Sequence, residues 1–356
     1  MTGNSAWICG TGMMTPVGDC TVQTATSVRA GISRYQESNI YNKRFEPMTM
    51  ALLPEDALPP LNEELASFPK LTSRQTRMLR LAHNALLEAL AALPEEQQLI
   101  PVFLAGPETM PGRPLAITDT FLSLLAIQTG ADIDRVKSRL FPTGRAGGMQ
   151  ALQAALEYLA TGKHDYVVVG GVDSYLDLYL LGTLDKEDRV LANGVMDGFA
   201  PGEGAGFLIL CSDKARETCL DRPTIKIHSP GIAAEPGHRY SKETYTGDGL
   251  ANAVTSALQA VNNVPVRTIL SGINGENMGA KEWGVAYTRN ASAIDPGFRF
   301  EHPADCFGDT GAAAGPILMN LASRGLENNY VAGPCMAYCS SEGPHRAAAC
   351  LTRENS

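Results

Sequence analysis

Eight cysteines and six histidines are the side chains of this chain most able to act as nucleophile, base or metal ligand. The cysteines are Cys9, Cys20, Cys211, Cys219, Cys306, Cys335, Cys339 and Cys350. None forms a C-x-x-C pair and no Cys/His group has zinc-finger spacing, so no metal site is expected. A free cysteine usually packs as a small buried hydrophobe. Cys306 is the best placed for a thiolate role, because His302 lies close by and a thiol with a nearby base is the minimum for nucleophilic catalysis. Cys339 is the second candidate. His302 itself follows Glu301 in a loop and reads as an exposed or capping residue, and His83 and His164 read as surface residues. Asp309 with Asp305 or Glu276 offers a carboxylate pair of the kind hydrolases use, provided the side chains converge. No phosphate cradle is expected: Gly10-Thr11-Gly12 lacks a third glycine, and the glycines at 198–206 precede a strand rather than a helix. No cofactor is implied.

The elements that would position these groups follow from pattern. Ala6–Cys9 reads as a strand ending in the Gly10-Thr11-Gly12 turn, followed by a helix over Thr21–Arg29. Glu46–Pro69, with five prolines, reads as a surface excursion. Apolar residues at helical spacing mark helices over Arg74–Leu93, Gly147–Ala160 and Leu250–Val261. Val102–Ala105, Tyr166–Val169 (ending in Gly170-Gly171), Phe207–Cys211, Thr224–Ile227, Thr268–Ile273 and Ala347–Leu351 read as strands, and Gly311–Leu321 as a small-residue helix. Alternating strands and helices predict an α/β fold with a largely parallel, covered sheet, and the order of elements recurs in residues 1–222 and 223–356. With 356 residues, 44% hydrophobic, the chain can bury one large core or two moderate ones. A net charge of −9 and a pI near 5.2 argue against nucleic-acid or anionic-membrane partners. No membrane span and no signal peptide are read, so a cytoplasmic location is expected.

The sharpest segment is Met196–Leu210, MDGFAPGEGAGFLIL, where Gly198, Gly202, Gly204 and Gly206 flank Glu203. Such glycines allow backbones to cross closely. The segment resembles the DGF-x-x-GEGAG stretch of the β-ketoacyl synthases. Trp7–Asp19, Thr21–Tyr35, Gly162–Ser174 and Thr244–Leu258 resemble further segments of that family in the same order. The resemblance implies the thiolase-like fold, two similar βαβ-type halves in five alternating αβαβα layers, and a dimer.

The positions that the resemblance assigns to catalysis depart from the family. Its nucleophilic cysteine falls on Arg145, in FPTGRAGGMQAL. Its first histidine falls on Asn274, in SGINGENMG. Its second falls on Asp309 and the supporting lysine on Ala304, in ADCFGDTGAAAG, although Gly308 and Gly311 of that backbone signature remain. The gating loop reads YCSSEGPHRA, Tyr338–Ala347. A guanidinium stays protonated and offers only donors, so it is no nucleophile. Arg145 and Asp309 carry opposite charge and could fill one pocket as an ion pair, with Asn274 joining by hydrogen bond; Arg145 facing solvent or pairing with Glu276 is the alternative.

Two functions follow as expectations. The first is a degenerate ketosynthase-like protein, a non-catalytic partner subunit, scaffold or adaptor, paired with itself, with an active synthase or with another protein, and with acyl-carrier protein as a further partner. The second is an acyltransferase, dependent on acyl-CoA or acyl-carrier protein, with chemistry relocated to Cys306 or Cys339. Relative to a usual synthase the chain is shorter between about Gly106 and Pro142.

Overall fold

The computed structural model describes residues 5–68, 71–94, 97, 99–109, 115–217, 219 and 224–354. Its strands are β1 (Ser5–Met14), β2 (Gln36–Tyr41), β3 (Pro47–Met50), β4 (Val102–Ala105), β5 (Arg139–Phe141), β6 (Tyr166–Ser174), β7 (Glu203–Cys211), β8 (Ile225–His228), β9 (Gly231–Ala234), β10 (Val266–Ser271), β11 (Ile294–Glu301), β12 (Cys335–Ser340) and β13 (His345–Arg353). β2 and β3 form a separate ribbon.

The remaining strands repeat one plan. In the first half the order is β5-β4-β6-β7-β1, with β5, β4 and β6 parallel and β7 and β1 antiparallel. In the second half β11-β10-β12-β13-β8 has the same directions. Antiparallel β1–β8 pairing joins them, and β9 adds to β13. Each half is thus mixed, not largely parallel as the alternation of elements predicts. Only the connections that carry a helix across the sheet return the chain in parallel; β12–β13 comes straight back, and the β6–β7 connection, though it holds the helix Leu178–Lys186, returns the chain antiparallel. The boundary expected at 222 falls outside the described residues.

Strand alternation sorts the helices into layers. Val168 faces the helix Ser73–Leu90, whose Met78, Ala82, Ala85 and Leu86 pack with Trp7 and Met14. Val167 and Val169 face the other way, onto the central helices Gly147–Ala160 and Ala314–Glu327. Those two also pack against Ala337 and Ala349 of the second sheet. Met336 and Ala348 point outward to the helices Asp248–Ala260 and Asn277–Asn290. The result is five layers, αβαβα. Each fully buried leucine, valine or phenylalanine contributes roughly 1.5–3 kcal/mol of apolar transfer.

Three local readings change. Gly10 and Gly12 are not a turn but the middle of β1: a Cβ on Gly12 would lie 1.9 Å from the carbonyl oxygen of Ala85, and one on Gly10 2.5 Å from that of Ala89. Gly170 and Gly171 likewise sit inside β6, pressed against the Phe207 ring and the Ala312 carbonyl. Gly10 and Gly12 let the Ser73–Leu90 helix ride close on the sheet, Gly171 does the same for the turn at Ala312, and Gly170 makes room for the Phe207 ring of β7. The stretch from Glu46 is not a plain surface excursion either, because Met48, Met50, Ala51, Leu53, Leu58 and Leu65 are buried; Pro69 lies outside the described residues. The Ser73–Leu90 helix ends before Pro94 and starts with a Thr72/Gln75 capping box.

Candidate functional site

The N-termini of the two central helices meet at one point. Each is preceded by a tight 3₁₀ turn, Gly144–Ala146 in the first half and Gly311–Ala313 in the second. Arg145 sits in the first turn and is 6% exposed; Asp309 lies just before the second and is 3% exposed. The Glu203 segment places Asp309: the amide of Gly202 donates to the Asp309 carbonyl at 2.9 Å, and the Asp309 amide to the Ala200 carbonyl at 2.9 Å. A Cβ on Gly202 would meet the Phe307 carbonyl at 2.4 Å, and one on Gly204 the Met14 carbonyl at 3.0 Å. Gly206 is pressed on Ile317, and Gly198 on Val195. Gly308 and Gly311 take positive φ, 73° and 52°.

Arg145 and Asp309 are paired. Nε of Arg145 donates to both Asp309 carboxylate oxygens, at 3.1 and 2.9 Å, and Nη2 donates to Oδ2. Nη1 donates to Glu342 at 2.9 Å and Nη2 to the Tyr175 hydroxyl at 3.2 Å. Asn274 donates to Asp309 Oδ2 at 2.8 Å and to Glu276 Oε2 at 3.1 Å. Gly311 N–H donates to Asp309 Oδ1 at 2.8 Å. Glu276 does not bind Arg145; it is clamped by Arg189 at 2.7 and 2.9 Å and by Arg239 at 3.0 Å. Arg189 also reaches Glu342 at 2.7 Å, and Arg239 approaches it at 3.1 Å. Three guanidinium groups therefore interleave with three carboxylates.

That balance is what lets so much charge stay buried. The carboxylates also suit the helix N-termini, whose partial positive charge Arg145 alone would oppose. Burial pushes the Glu342 carboxyl up, but Arg145 and Arg189 outweigh it and hold the group well below the usual range. Glu108 behaves oppositely. It accepts from the amides of Glu342 and Gly343 at 2.8 and 3.0 Å, yet burial raises its carboxyl to about 7.

The segment Tyr338–Ala347 is pinned across this network. Ser341 accepts from the Ala146 amide at 3.0 Å and donates to the Thr143 carbonyl at 2.5 Å. Arg346 donates to Glu282 at 2.6 Å. The clefts left beside the network amount to ≈ 50, 20 and 40 Å³. A water needs roughly 10–15 Å³ on this measure, so the smallest has room for one or two waters and the other two for a few.

The remaining candidates are not activated. Cys339 is fully buried and its thiol is pushed up to about 12, by burial first. Cys306 is buried in the central core and its thiol is raised for the same reason. A reactive thiolate needs the reverse. His302 bonds to the Ser271 hydroxyl at 2.9 Å and packs on Phe300. Asp305 is exposed, away from Asp309, and Asp309 and Glu276 are each engaged by arginine. His83 bonds to the Gln128 carbonyl at 2.8 Å and His164 stacks on Tyr158.

Sequence reasoning missed Arg189, Arg239, Tyr175, Glu108 and Glu342. Only Glu342 carried a signal, as the one carboxylate in the Tyr338–Ala347 segment. The others come from loops far away in the chain.

Two like halves whose central helices aim their N-termini at a shared point make up the thiolase-like fold seen in ketosynthases. Residues 140–215 match the β-ketoacyl synthase N-terminal domain family. The ishigamide ketosynthase/chain length factor has the same fold over 99% of this chain and 100% of its own, with a TM-score of 0.76 and 15% identity. A type II polyketide ketosynthase solved with its acyl-carrier protein (AntDE:AntF) is similar over 99% of this chain and 100% of its own, at 0.75 and 16%. The ketosynthase from module 6 of the bacillaene synthase of Bacillus subtilis 168 is similar over 99% of this chain and 72% of its own, at 0.77 and 12%. No curated protein matches the chain in sequence. Among the described residues no helix is long and apolar enough to cross a membrane.

Proposed function

We propose that this protein is a non-catalytic ketosynthase-fold subunit that serves a partner synthase as a structural or adaptor element. The observation that carries this reading is the Arg145 guanidinium, held by Asp309 and Glu342 at the N-terminus of the Gly147–Ala160 helix. Arg145, Asn274 and Asp309 are then the replaced nucleophile and histidine positions. An arginine there supplies neither a nucleophile nor a proton acceptor, and the ion network occupies the space where an acyl group would react. The pinned Tyr338–Ala347 segment acts as a closed cover.

The likeness to a ketosynthase/chain length factor supports the pairing of such a subunit with an active synthase. The first sheet offers a surface for it. Among the described residues β5 has a neighbour on one side only, β4, so its other edge presents backbone donors and acceptors. A homodimer through this edge and a heterodimer with a synthase are the two assemblies, and acyl-carrier protein is the third partner.

The test is intact-mass measurement after incubation with acyl-CoA or acyl-loaded carrier protein. No stable adduct is expected. An adduct abolished by Cys306→Ser or Cys339→Ser would overturn the reading in favour of relocated acyl transfer. Isolation from the native host is expected to bring down a synthase chain with an intact triad. The combined change Arg145→Cys, Asn274→His and Asp309→His is expected to restore little condensation, since Glu342 and the cover stay in place.

A further inference from the structure

The outer face of the first sheet carries a group of side chains that the central network does not involve. The sulfur atoms of Cys9, Cys211 and Cys219 all lie within 4.8 Å of one another. They come from three separate pieces of chain. Cys211 is the last residue of β7 and is fully buried. Cys9 sits where the register of β1 against β7 slips between Ile8 and Gly10, so it is the extra residue of a bulge. Such a residue is left out of the ladder and its side chain is re-aimed. Cys9 packs in the same apolar layer as Cys211. Cys219 follows the short helix Asp213–Arg216, which turns the chain back over the sheet.

That turn is fastened. Ser212 caps it by accepting from the Ala215 amide at 3.2 Å. Asp213 accepts from the Trp7 indole at 2.7 Å, and the Arg216 guanidinium lies over the Trp7 ring at 3.3 Å. The Cys219 amide donates to the Arg216 carbonyl at 3.4 Å. Cys219 Sγ stands 3.9 Å from Cys211 Sγ. Cys9 and Cys219 are part-exposed, which leaves a way in from solvent.

We infer that Cys9, Cys211 and Cys219 form a three-thiolate site for a soft, thiophilic metal ion. With metal–sulfur bonds near 2.3 Å, three sulfurs around one ion stand about 3.8–4.0 Å apart, and the Cys211–Cys219 separation already meets this. No carboxylate or imidazole belongs to the group among the described residues. Purely sulfur donors select zinc- or copper(I)-type ions over calcium, magnesium or manganese. Binding is a substitution without electron transfer. Each ligating thiol loses its S–H bond, gives its proton to the buffer and forms one S–metal bond.

The experiment uses the full chain, reduced and stripped with a chelator, titrated separately with Zn(II), Cd(II) and Cu(I). The expected result is one equivalent bound per chain, with proton release and a raised Tm. Cd(II) and Cu(I) should also give a thiolate-to-metal charge-transfer band, and competition among the three ions ranks them. Cys9→Ser and Cys219→Ser should each weaken binding at least about tenfold, whereas Cys335→Ser and Cys350→Ser should leave it unchanged. Cys219→Ser alters a part-exposed side chain, so its fold can be checked by an unchanged circular dichroism spectrum. No band and no Tm shift with any of the three ions would overturn the site. So would binding that survives in both variants, or thiols that pair as a Cys211–Cys219 disulfide on mild oxidation and bind no metal when reduced.

Discussion

Arg77 and Arg145 are both buried arginines clamped side-on by a carboxylate, 8% and 6% exposed, but their surroundings differ. Arg77 donates to the two oxygens of Glu203 at 2.5 and 2.6 Å and to the Leu53 carbonyl at 2.7 Å. Glu203 is fully buried and also accepts from the Leu53 amide at 2.8 Å and from Ser174 at 2.7 Å. That arrangement ties the loop at Leu53, the Ser73–Leu90 helix and β7 into one unit. Among the described residues its one further carboxylate, Glu55, reaches in from the surface. Arg145 instead belongs to a chain of three arginines and three carboxylates, lined by small clefts and edged by the part-exposed Arg239. One ion pair is a fastening inside the fold. The other lies beside small clefts at the helix N-termini, the place to which the proposed function assigns the lost chemistry. A buried ion pair does not by itself announce a function; its surroundings separate these two.

The sharpest way to break this contrast is Arg77→Met. Glu203 would be left fully buried with no cation, and removing one partner of such a pair costs about 3–5 kcal/mol. A drop of that size in the unfolding free energy from urea titration is expected. A loss below about 1 kcal/mol would show that the pair is not a fastening. Arg145→Met should cost less, about 1–3 kcal/mol. Asp309 keeps its bonds from Asn274 and Gly311, Glu342 keeps Arg189, and the clefts let water reach the vacated end. If Arg145→Met proves the more damaging of the two, the distinction between the regions fails.

How much of this was legible in the sequence differs by region for the same reason. The individual helices and strands follow from periodic apolar patterns, because their faces repeat within a few residues of each other, whereas the five layers are implied only by the family resemblance. The glycines at 198–206 were legible as a crossing, and Gly202 does pack against the Phe307 and Asp309 carbonyls. The glycines at 10 and 12 read as a turn and those at 170 and 171 as the end of a strand, since a glycine that admits a close neighbour looks the same in sequence as one that bends the chain. Arg145, Asn274 and Asp309 could be singled out because each lies inside a patterned segment. Arg189 and Arg239 could not. They sit in irregular loops, and only the tertiary fold brings them to Glu276 and Glu342. The sulfur group at Cys9, Cys211 and Cys219 was hidden the same way: a bulge and a return turn bring together residues that no spacing rule connects.

The smallest effect sharpens the comparison through pH. Glu108 holds the cover to the network through the Glu342 and Gly343 amides, with its carboxyl raised by burial from an ordinary 4.5 to about 7. Between those values the folded protein keeps a proton that the unfolded chain has released. Stability from this group is therefore complete below 4.5 and is lost as pH rises through about 7. Glu108→Gln is neutral at every pH and provides one acceptor where the carboxyl group provides two. At pH 4 it should be less stable than the natural chain by about 1 kcal/mol, the net worth of one hydrogen bond. As pH rises through that window the natural chain should lose up to about 1.4 kcal/mol per pH unit relative to the variant, so the gap closes and then reverses. Glu342, depressed by Arg145 and Arg189, has the opposite sign: its contribution is present above the usual glutamate range and is lost on acidification. It is common to both proteins and drops out of the difference. Parallel stability curves from pH 4 to 8 would show that Glu108 titrates normally and that the cover is not held by a protonated acid.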